Sequence, residues 1–375
     1  MNSILHIDQV EAFVYRCPIR TPVQTSFGIM RDRPAVFVRI TDTDGVSGWG
    51  EVWCNFPAVG AEHRARLVAS VFAPMLLGQT FTDPPSAYRE LSERTAVLAI
   101  QCAEPGPIAQ CIAGLDTALW DLHARRAGKA LWRLLGGGSP ILRVYASGLN
   151  PTEPEALAAR CHQEGYRAFK LKVGFGRGRD HANLQALRAA VGDCDLMADA
   201  NQAWDLATAC SEAKALKPFG LLWLEEPLRA NRPWAEWKEL ASVSPVALAA
   251  GENLAGDEAF DQALAQGALQ VVQPDLAKWG GISACLPVAR RIRQAGRRYC
   301  PHYLGAGIGL LASAHVLAAV GGDGLLEVDA NPNPLRSMTC GPLNAVHEGC
   351  STLSEAPGLG ITVDTLALRD YQVDF

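Results

Sequence analysis

No stretch of this chain is apolar for long enough to cross a bilayer. The nearest, GIGLLASAHVLAAVGG, is broken by His315 and by glycines, and a spanning helix needs about 20 apolar residues. Basic charge is not in excess either. Lys and Arg number 34 against 39 Asp and Glu, a net charge of −5, so the electrostatic footprint of a nucleic-acid binder is missing. The eleven cysteines contain no Cys-x-x-Cys pair, are odd in number and are scattered from Cys17 to Cys350. This excludes a zinc knuckle, argues against a disulfide framework, and leads us to expect free thiols in a reducing, cytoplasmic compartment. The first residues, MNSILHIDQVEAF, show no basic start followed by a long apolar region, so no secretion signal is read there. Nor does a G-x-G-x-x-G follow the first strand-like run, which weakens an open doubly wound nucleotide-binding sheet.

The chain does have bulk: 375 residues, 49% hydrophobic and 19% charged. That suits one large domain with a smaller one. Its first fifty residues have β texture. VEAFVYRCPI, AVFVRITDTDG and SGWGEVW are rich in β-branched and aromatic residues and are separated by glycine turns. Helical segments follow. The clearest places Ile112, Leu115, Leu119 and Leu122 on one face, with Gly128 as a stop. The reading is an α+β unit over 1–130.

From about residue 141 short apolar runs alternate with amphipathic stretches. The runs are LRVYASG, AFKLKVG, DLMADAN, LLWLEEP, VALAAGEN, LQVVQPD, RRYCPHY and GLLEVD. Eight such units predict a closed barrel of parallel strands over 131–335. The remainder, 336–375, carries one β-like piece, GLGITVDTLALRDYQ, and is expected to return to the N-terminal unit.

Ionisable residues mark the ends of these runs: Lys170 and Lys172, then Asp199, Glu225, Glu252, Asp275, His302 and Glu327. From Asp199 onward the steps are 26, 27, 23, 27 and 25 residues, each about one strand-plus-helix unit. In such barrels the C-terminal strand ends are where chemistry is built. Asp199, Glu225 and Glu252 end consecutive strands, and adjacent strands lie about 4.8 Å apart. Three oxygen ligands on rigid strands suit Mg²⁺, and no sulfur or histidine cluster points to zinc. Lys170 and Lys172 lie two apart in a strand and share a face. Their mutual repulsion predicts a lowered pKa for one of them, Lys172, which makes it a candidate base, with Lys170 staying charged to hold a carboxylate. Asp275 lies one unit before His302 and would fix its tautomer. Glu327 is either a structural acid or a hydrogen-bonding partner of a substrate carboxylate.

These residues sit in motifs that resemble the enolase superfamily, in particular its mandelate racemase subgroup. The motifs run in order along nearly the whole chain: GWGE, LDTALWDLHARRAGKALWRLLGG, KLK, DANQAW, WLEEP, GEN, PDLAKWGGI, CPHYLGAGIGLLASAH and LLEVD. The resemblance implies an α+β capping domain over a modified (β/α)₇β TIM barrel. It implies Mg²⁺ held by Asp199, Glu225 and Glu252, and Lys172 with Lys170 on one face of the substrate. His302, backed by Asp275, would stand on the other face, with Glu327 at the substrate carboxylate. Lys278 is a competing second base, and His302 is preferred because mandelate racemase-like sequences carry a lysine there without using it so. Sites of this superfamily are known to pair a Lys or His base with Mg²⁺ that stabilises an ene-diolate. The activity implied is α-proton abstraction from a small carboxylate, leading to dehydration of a hydroxy or sugar acid, or alternatively to racemisation or epimerisation. Asn201, Lys278, Phe27, Trp53 and Phe56 are further candidates for substrate contact. A homo-oligomer is expected, with neither nucleic acid nor membrane as partner. A Schiff-base aldolase, or a binding barrel without activity, are the alternatives from other classes.

Overall fold

The computed structural model describes residues 4–24 and 28–375. Its N-terminal part is an antiparallel sheet of β1 (Leu5–Gln24), β2 (Ile29–Asp42) and β3 (Ser47–Val52), with β4 (Thr80–Phe81) pairing the start of β1. Against it lie α1 (Gly60–Leu67), α2 (Ala73–Leu76), α3 (Pro84–Gln101) and α4 (Pro105–Arg126), followed by the short α5 (Leu131–Leu134). The packing of α4 on β3 is unusually close and follows from glycine. A Cβ on Gly48 would meet Ala118 O at 2.2 Å, and one on Gly50 would meet Gly114 O at 1.9 Å. With Gly48, Gly50 and Val52 turned to α4, alternation sends Trp49 and Glu51 to the opposite side.

The larger part is a ring of parallel strands: β5 (Ile141–Leu149), β6 (Ala168–Lys172), β7 (Asp195–Asp199), β8 (Leu224–Glu225), β9 (Leu248–Ala250), β10 (Val271–Val272), β11 (Arg298–Tyr299) and β12 (Leu325–Asp329). They pair in chain order, and β12 returns to β5. β11 and β12 form no ladder with each other, but Gly324, just before β12, brings the chain against β11, where an added Cβ would lie 2.0 Å from Tyr299 O. Seven helices fill the crossovers: α6 (Pro154–Gln163), α7 (Arg177–Val191), α8 (Leu206–Ala215), α9 (Trp234–Val243), α10 (Asp257–Gln266), α11 (Gly281–Gln294) and α12 (Gly307–Val320). The fold is therefore a (β/α)₇β TIM barrel with an N-terminal capping domain. After α13 (Pro334–Thr339), β13 (Cys350–Thr352) pairs antiparallel with β5, and β14 (Gln372–Val373) pairs with β1.

Of the β-like piece near the end of the sequence only the last residue, Gln372, lies in a strand. Gly358 and Gly360 take positive φ (72° and 76°) and break the extended chain, while Leu359 and Val363 bury themselves in the main core instead. Among the described residues no helix is long and apolar enough to cross a membrane. All eleven cysteines are unpaired.

Candidate active site

The barrel interior is built by strand alternation. Its floor is an apolar cluster of Tyr145, Ala168, Met197, Trp223, Ala249, Val271, Cys300 and Leu325. Two residues past most of these, on the same face, stands a polar one: Ser147, Lys170, Asp199, Glu225, Gln273, His302 and Glu327, all buried. In β6 the other face carries Phe169 and Leu171 into the layer between strands and helices. Two lysines occur in an apolar strand because one face meets helices and the other meets acids.

Lys172, Asp199 and Glu225 are register partners across β6, β7 and β8. Glu252 does not share that level. It follows Gly251, whose φ of 145° turns the chain and whose missing Cβ would lie 2.7 Å from Gln273 N. The three candidate metal ligands thus come from adjacent strands but from two heights.

Each acid is met by a cation. Lys170 Nζ, 1% exposed, lies 2.6 Å from Glu225 Oε1, 2.7 Å from Glu327 Oε1 and 3.9 Å from Asp199 Oδ2. Lys172 Nζ donates to Asp199 Oδ2 at 2.6 Å. His302 Nδ1 meets Asp275 Oδ2 at 2.7 Å, and its Nε2 lies 2.5 Å from Glu252 Oε2. Lys278 turns inward, 3.2 Å from both Glu252 Oε1 and Asn253 Oδ1, with its ammonium 5.3 Å from the centre of the Trp53 ring. Glu225 Oε2 also accepts from Trp223 Nε1 at 3.1 Å and from Gln273 Nε2 at 2.6 Å. Neither of these donors is charged, and neither stood out in the sequence. Asn201 stands at φ 43° and closes on Asp199 through its backbone N–H (2.7 Å) and its amide (3.1 Å). Such left-handed non-glycine backbone is costly, and it clusters at functional sites. Trp53 and the half-buried Phe56 lie on the capping side, Phe56 against Gly28. Phe27 falls outside the described residues.

The electrostatics correct one expectation. Burial lowers the Lys172 pKa, but Asp199 more than offsets both burial and the repulsion from Lys170, so the net shift is upward. Burial likewise works against charge on Lys170, and Glu225 and Glu327 overturn it, leaving its pKa well above the usual lysine range. Nearby carboxylates at hydrogen-bond distance simply outweigh one neighbouring ammonium. His302 is also held well above the ordinary imidazole value: burial opposes its charge, and Glu252, Glu327 and Asp275 prevail. Glu327, despite burial, is pulled down to about 2 by Lys170 and His302. It is an acceptor here, not the protonated donor a substrate carboxylate would need. Glu225 is raised to about 7: burial lifts it, Lys170 pulls it back, and Asp199, Glu327 and Glu252 lift it again.

Among the described residues no group of three His, Cys, Asp or Glu side chains stands ready-made as a metal cage, since Asp199, Glu225, Glu252, Asp275 and Glu327 are each turned to a lysine or to His302. The donor chemistry nevertheless fits a divalent cation. Six carboxyl groups (Asp199, Glu225, Glu226, Glu252, Asp275 and Glu327) face three lysines and one histidine. Among the described residues, two buried acceptor oxygens there, Glu226 Oε2 and Gln273 Oε1, have no donor. A cluster of carboxylate and amide oxygens on rigid strands is hard-cation chemistry.

Residues 9–136 match the mandelate racemase/muconate lactonizing enzyme N-terminal domain, and residues 153–367 match the enolase C-terminal domain-like family. The chain is 30% identical to a D-galactarolactone cycloisomerase of Agrobacterium fabrum, over 98% of this chain and 99% of that one. It is also 30% identical to an L-talarate/galactarate dehydratase of Salmonella typhimurium, over 98% and 91%. A crystal structure of a mandelate racemase/muconate lactonizing enzyme from Bordetella bronchiseptica superposes with a TM-score of 0.93 at 58% identity, covering 98% of this chain and 100% of that one. An enolase from Bradyrhizobium, solved with magnesium and mandelic acid, gives 0.85 at 30% identity over the full length of both. With its motifs, its cap-and-barrel fold and both family domains in agreement, the chain belongs to the enolase superfamily, in its mandelate racemase/muconate lactonizing enzyme group.

Proposed function

We propose that the protein abstracts the α-proton of a small hydroxy-carboxylate in a Mg²⁺-dependent reaction, and that its main outcome is dehydration of a sugar acid. The observation that carries this is the placement of two proton carriers on different sides of one acidic pocket: Lys172 on Asp199 and His302 on Glu252.

Asp199, Glu225 and Glu252 would hold the metal, which supplies Lewis-acid stabilisation of the charge that develops on the substrate carboxylate. A cation held there would offset the field of Asp199 that keeps Lys172 protonated, and Lys170 would remain as its repelling neighbour, so Lys172 would be able to accept a proton. Lys172 Nζ takes the α-proton as the C–H bond breaks. Lys170, held at the pocket floor, adds positive charge beside the enolised carboxylate. In a 2,3-dihydroxy acid the β C–O bond then breaks, and the hydroxyl leaves as water with the proton of His302 Nε2. The enol so formed becomes the 2-keto acid. Asp275 keeps Nδ1 of His302 protonated and its ring oriented. The same two carriers also support a second reading, in which one removes the α-proton and the other returns a proton to the opposite face, giving racemisation.

The resemblance to sugar-acid dehydratases and cycloisomerases supports the substrate class. Asn201, Lys278, Trp53, Phe56 and Phe27 are proposed to shape the substrate end of the pocket, and the eleven free thiols suit a cytoplasmic protein. Exposed Val97 and Ile100 on α3 suit a homo-oligomer, which light scattering would measure. The test of function is a panel of sugar acids and hydroxy acids incubated with Mg²⁺ in D₂O. A semicarbazide-reactive product marks dehydration, and deuterium at the α-carbon without net turnover marks racemisation. If no member of the panel exchanges its α-proton, the proposal fails.

A further inference from the structure

The His302 side of the pocket is held from outside the barrel. Glu51 near the end of β3, and Trp53 and Asn55 just after it, each touch a barrel loop. Glu51 Oε1 accepts from Ala306 N–H at 2.6 Å and Oε2 from Gly309 N–H at 2.9 Å. Ile308 N–H and the Tyr303 hydroxyl stand beside the same carboxylate and favour its charged form. Trp53 lies under the Lys278 ammonium, and the Asn55 amide donates to Leu304 O. One buried carboxylate of the cap therefore takes up the free N–H groups at the start of α12, which is the usual task of a local capping residue. Ala306, the N-cap residue of α12, has no side-chain bond of its own to offer.

The loop so gripped, 300–306, carries His302. Glycine makes the grip possible: a Cβ on Gly305 or on Gly309 would come within 2.3 Å of the Tyr303 hydroxyl. A second acid repeats the device one unit earlier. Asp116 of α4 accepts from Ile282 N–H (2.7 Å), Ser283 N–H (2.9 Å) and Ser283 Oγ (2.5 Å) at the start of α11, just after the loop that carries Asp275 and Lys278. Gly281 leaves it room, since a Cβ there would lie 2.4 Å from Asp116 Oδ2. The loop after β6, in contrast, is tied within the barrel, where Gly174 and Phe175 N–H donate to Asp180 of α7 at 2.9 and 3.2 Å.

We propose that Glu51, with Asp116 as its counterpart on α4, is a positioning residue for the His302 half of the site, setting the reach of His302 and Asp275 while leaving Lys172 unaffected. This rests on the reading of Lys172 and His302 as proton carriers on two faces of the substrate. The two faces therefore depend on different domains.

The experiment follows α-proton exchange of (R)- and (S)-mandelate, each alone, in D₂O with Mg²⁺. Lys172→Met and His302→Asn assign one enantiomer to each carrier. In Glu51→Gln, and to a lesser extent in Asp116→Asn, exchange of the His302 enantiomer should fall at least about tenfold, because small misplacements of a catalytic group are costly. The Lys172 enantiomer should hold to within about twofold, since its interactions are untouched. In parallel, hydrogen–deuterium exchange by mass spectrometry should show faster exchange over 302–309 and no change over 168–174. Equal losses for both enantiomers, or unchanged protection over 302–309, overturn the proposal. If the unmodified protein exchanges neither mandelate, the reading of the reaction fails for this probe, and the protection pattern alone decides the positioning claim. If Glu51→Gln does not fold, Tyr303→Phe, which removes only the phenol–carboxylate contact, is measured in the same way and should show the same one-sided loss.

Discussion

At the scale of single residues, the pocket is a balance of buried charge. Lys170 is the pivot, because one fully buried ammonium contacts Glu225 and Glu327 and lies within 4 Å of Asp199. Removing one member of a buried charge set leaves the others uncompensated, at a cost of about 3–5 kcal/mol. Lys170→Met should therefore destabilise metal-free protein by about that much in urea unfolding, and added Mg²⁺ should recover part of the loss. A change within error would show that the acids find other partners. Lys172→Met and His302→Asn should each lower turnover by about 10²–10⁴-fold, the usual contribution of a positioned acid or base. A milder effect in either would remove that residue from the proton path. Strand alternation and the unit-length steps made Lys170, Lys172 and the acids legible in the sequence. The direction of the Lys172 shift was not legible, because it depends on a 2.6 Å contact between residues 27 apart. Glu51, Asp116 and Asp121 also escaped notice. Acids in a strand end or a helix read as solvated, yet all three are buried and accept hydrogen bonds from the backbone of distant segments. The glycines of GWGE were the available clue, since a strand that must approach a helix so closely fixes which way its next side chain points.

At the scale of elements, the β3–α4 contact is the tightest joint. Gly50→Ala would push a methyl group into Gly114 O, and both partners are backbone with little freedom to yield. Overpacking of this kind costs about 1–3 kcal/mol, and Gly50→Ala should reach the upper end of that range in equilibrium denaturation. It should also loosen the 302–309 loop, which hangs from the next residue, Glu51. A stability equal to that of the parent would mean that α4 can slide. The barrel elements were legible because their period switches between strand and helix. The lengths of β8, β10 and β11 were not, since only two residues of each form regular ladder pairs. The chain beyond them continues in single backbone bonds such as Glu226 N–H to Ala249 O at 2.9 Å and Cys300 N–H to Val272 O at 3.2 Å.

At the scale of the whole molecule, cap and barrel share buried polar joints. His315 of α12 accepts from Trp132 N–H at Nδ1 (2.9 Å) and bonds Leu359 O through Nε2 (3.3 Å), so three distant parts of the chain meet on one neutral ring. Burial pushes its pKa down to about 4 from 6.5. Above pH 6.5 the ring is neutral in both folded and unfolded chains and titration changes nothing. As the pH falls from there toward 4, the unfolded chain takes up a proton that the folded one refuses, and stability drops by up to about 3 kcal/mol. Below pH 4 this group adds no further loss. The difference in stability between the parent and His315→Gln, followed by urea unfolding from pH 7 to pH 4, should narrow by that amount. A constant difference would show that the ring protonates without cost.

The pairing of β14 with β1 also bears on the order of assembly. Val373 lies opposite Val14, so β1 gains this outer neighbour only after every strand of the barrel has been synthesised. Until then the unpaired N–H and C=O groups along that side of β1 are open to any extended chain that passes. β14 thus seals Val14 and Tyr15 late, and a nascent protein stalled anywhere within the barrel would carry there an adhesive stretch that β14 later covers.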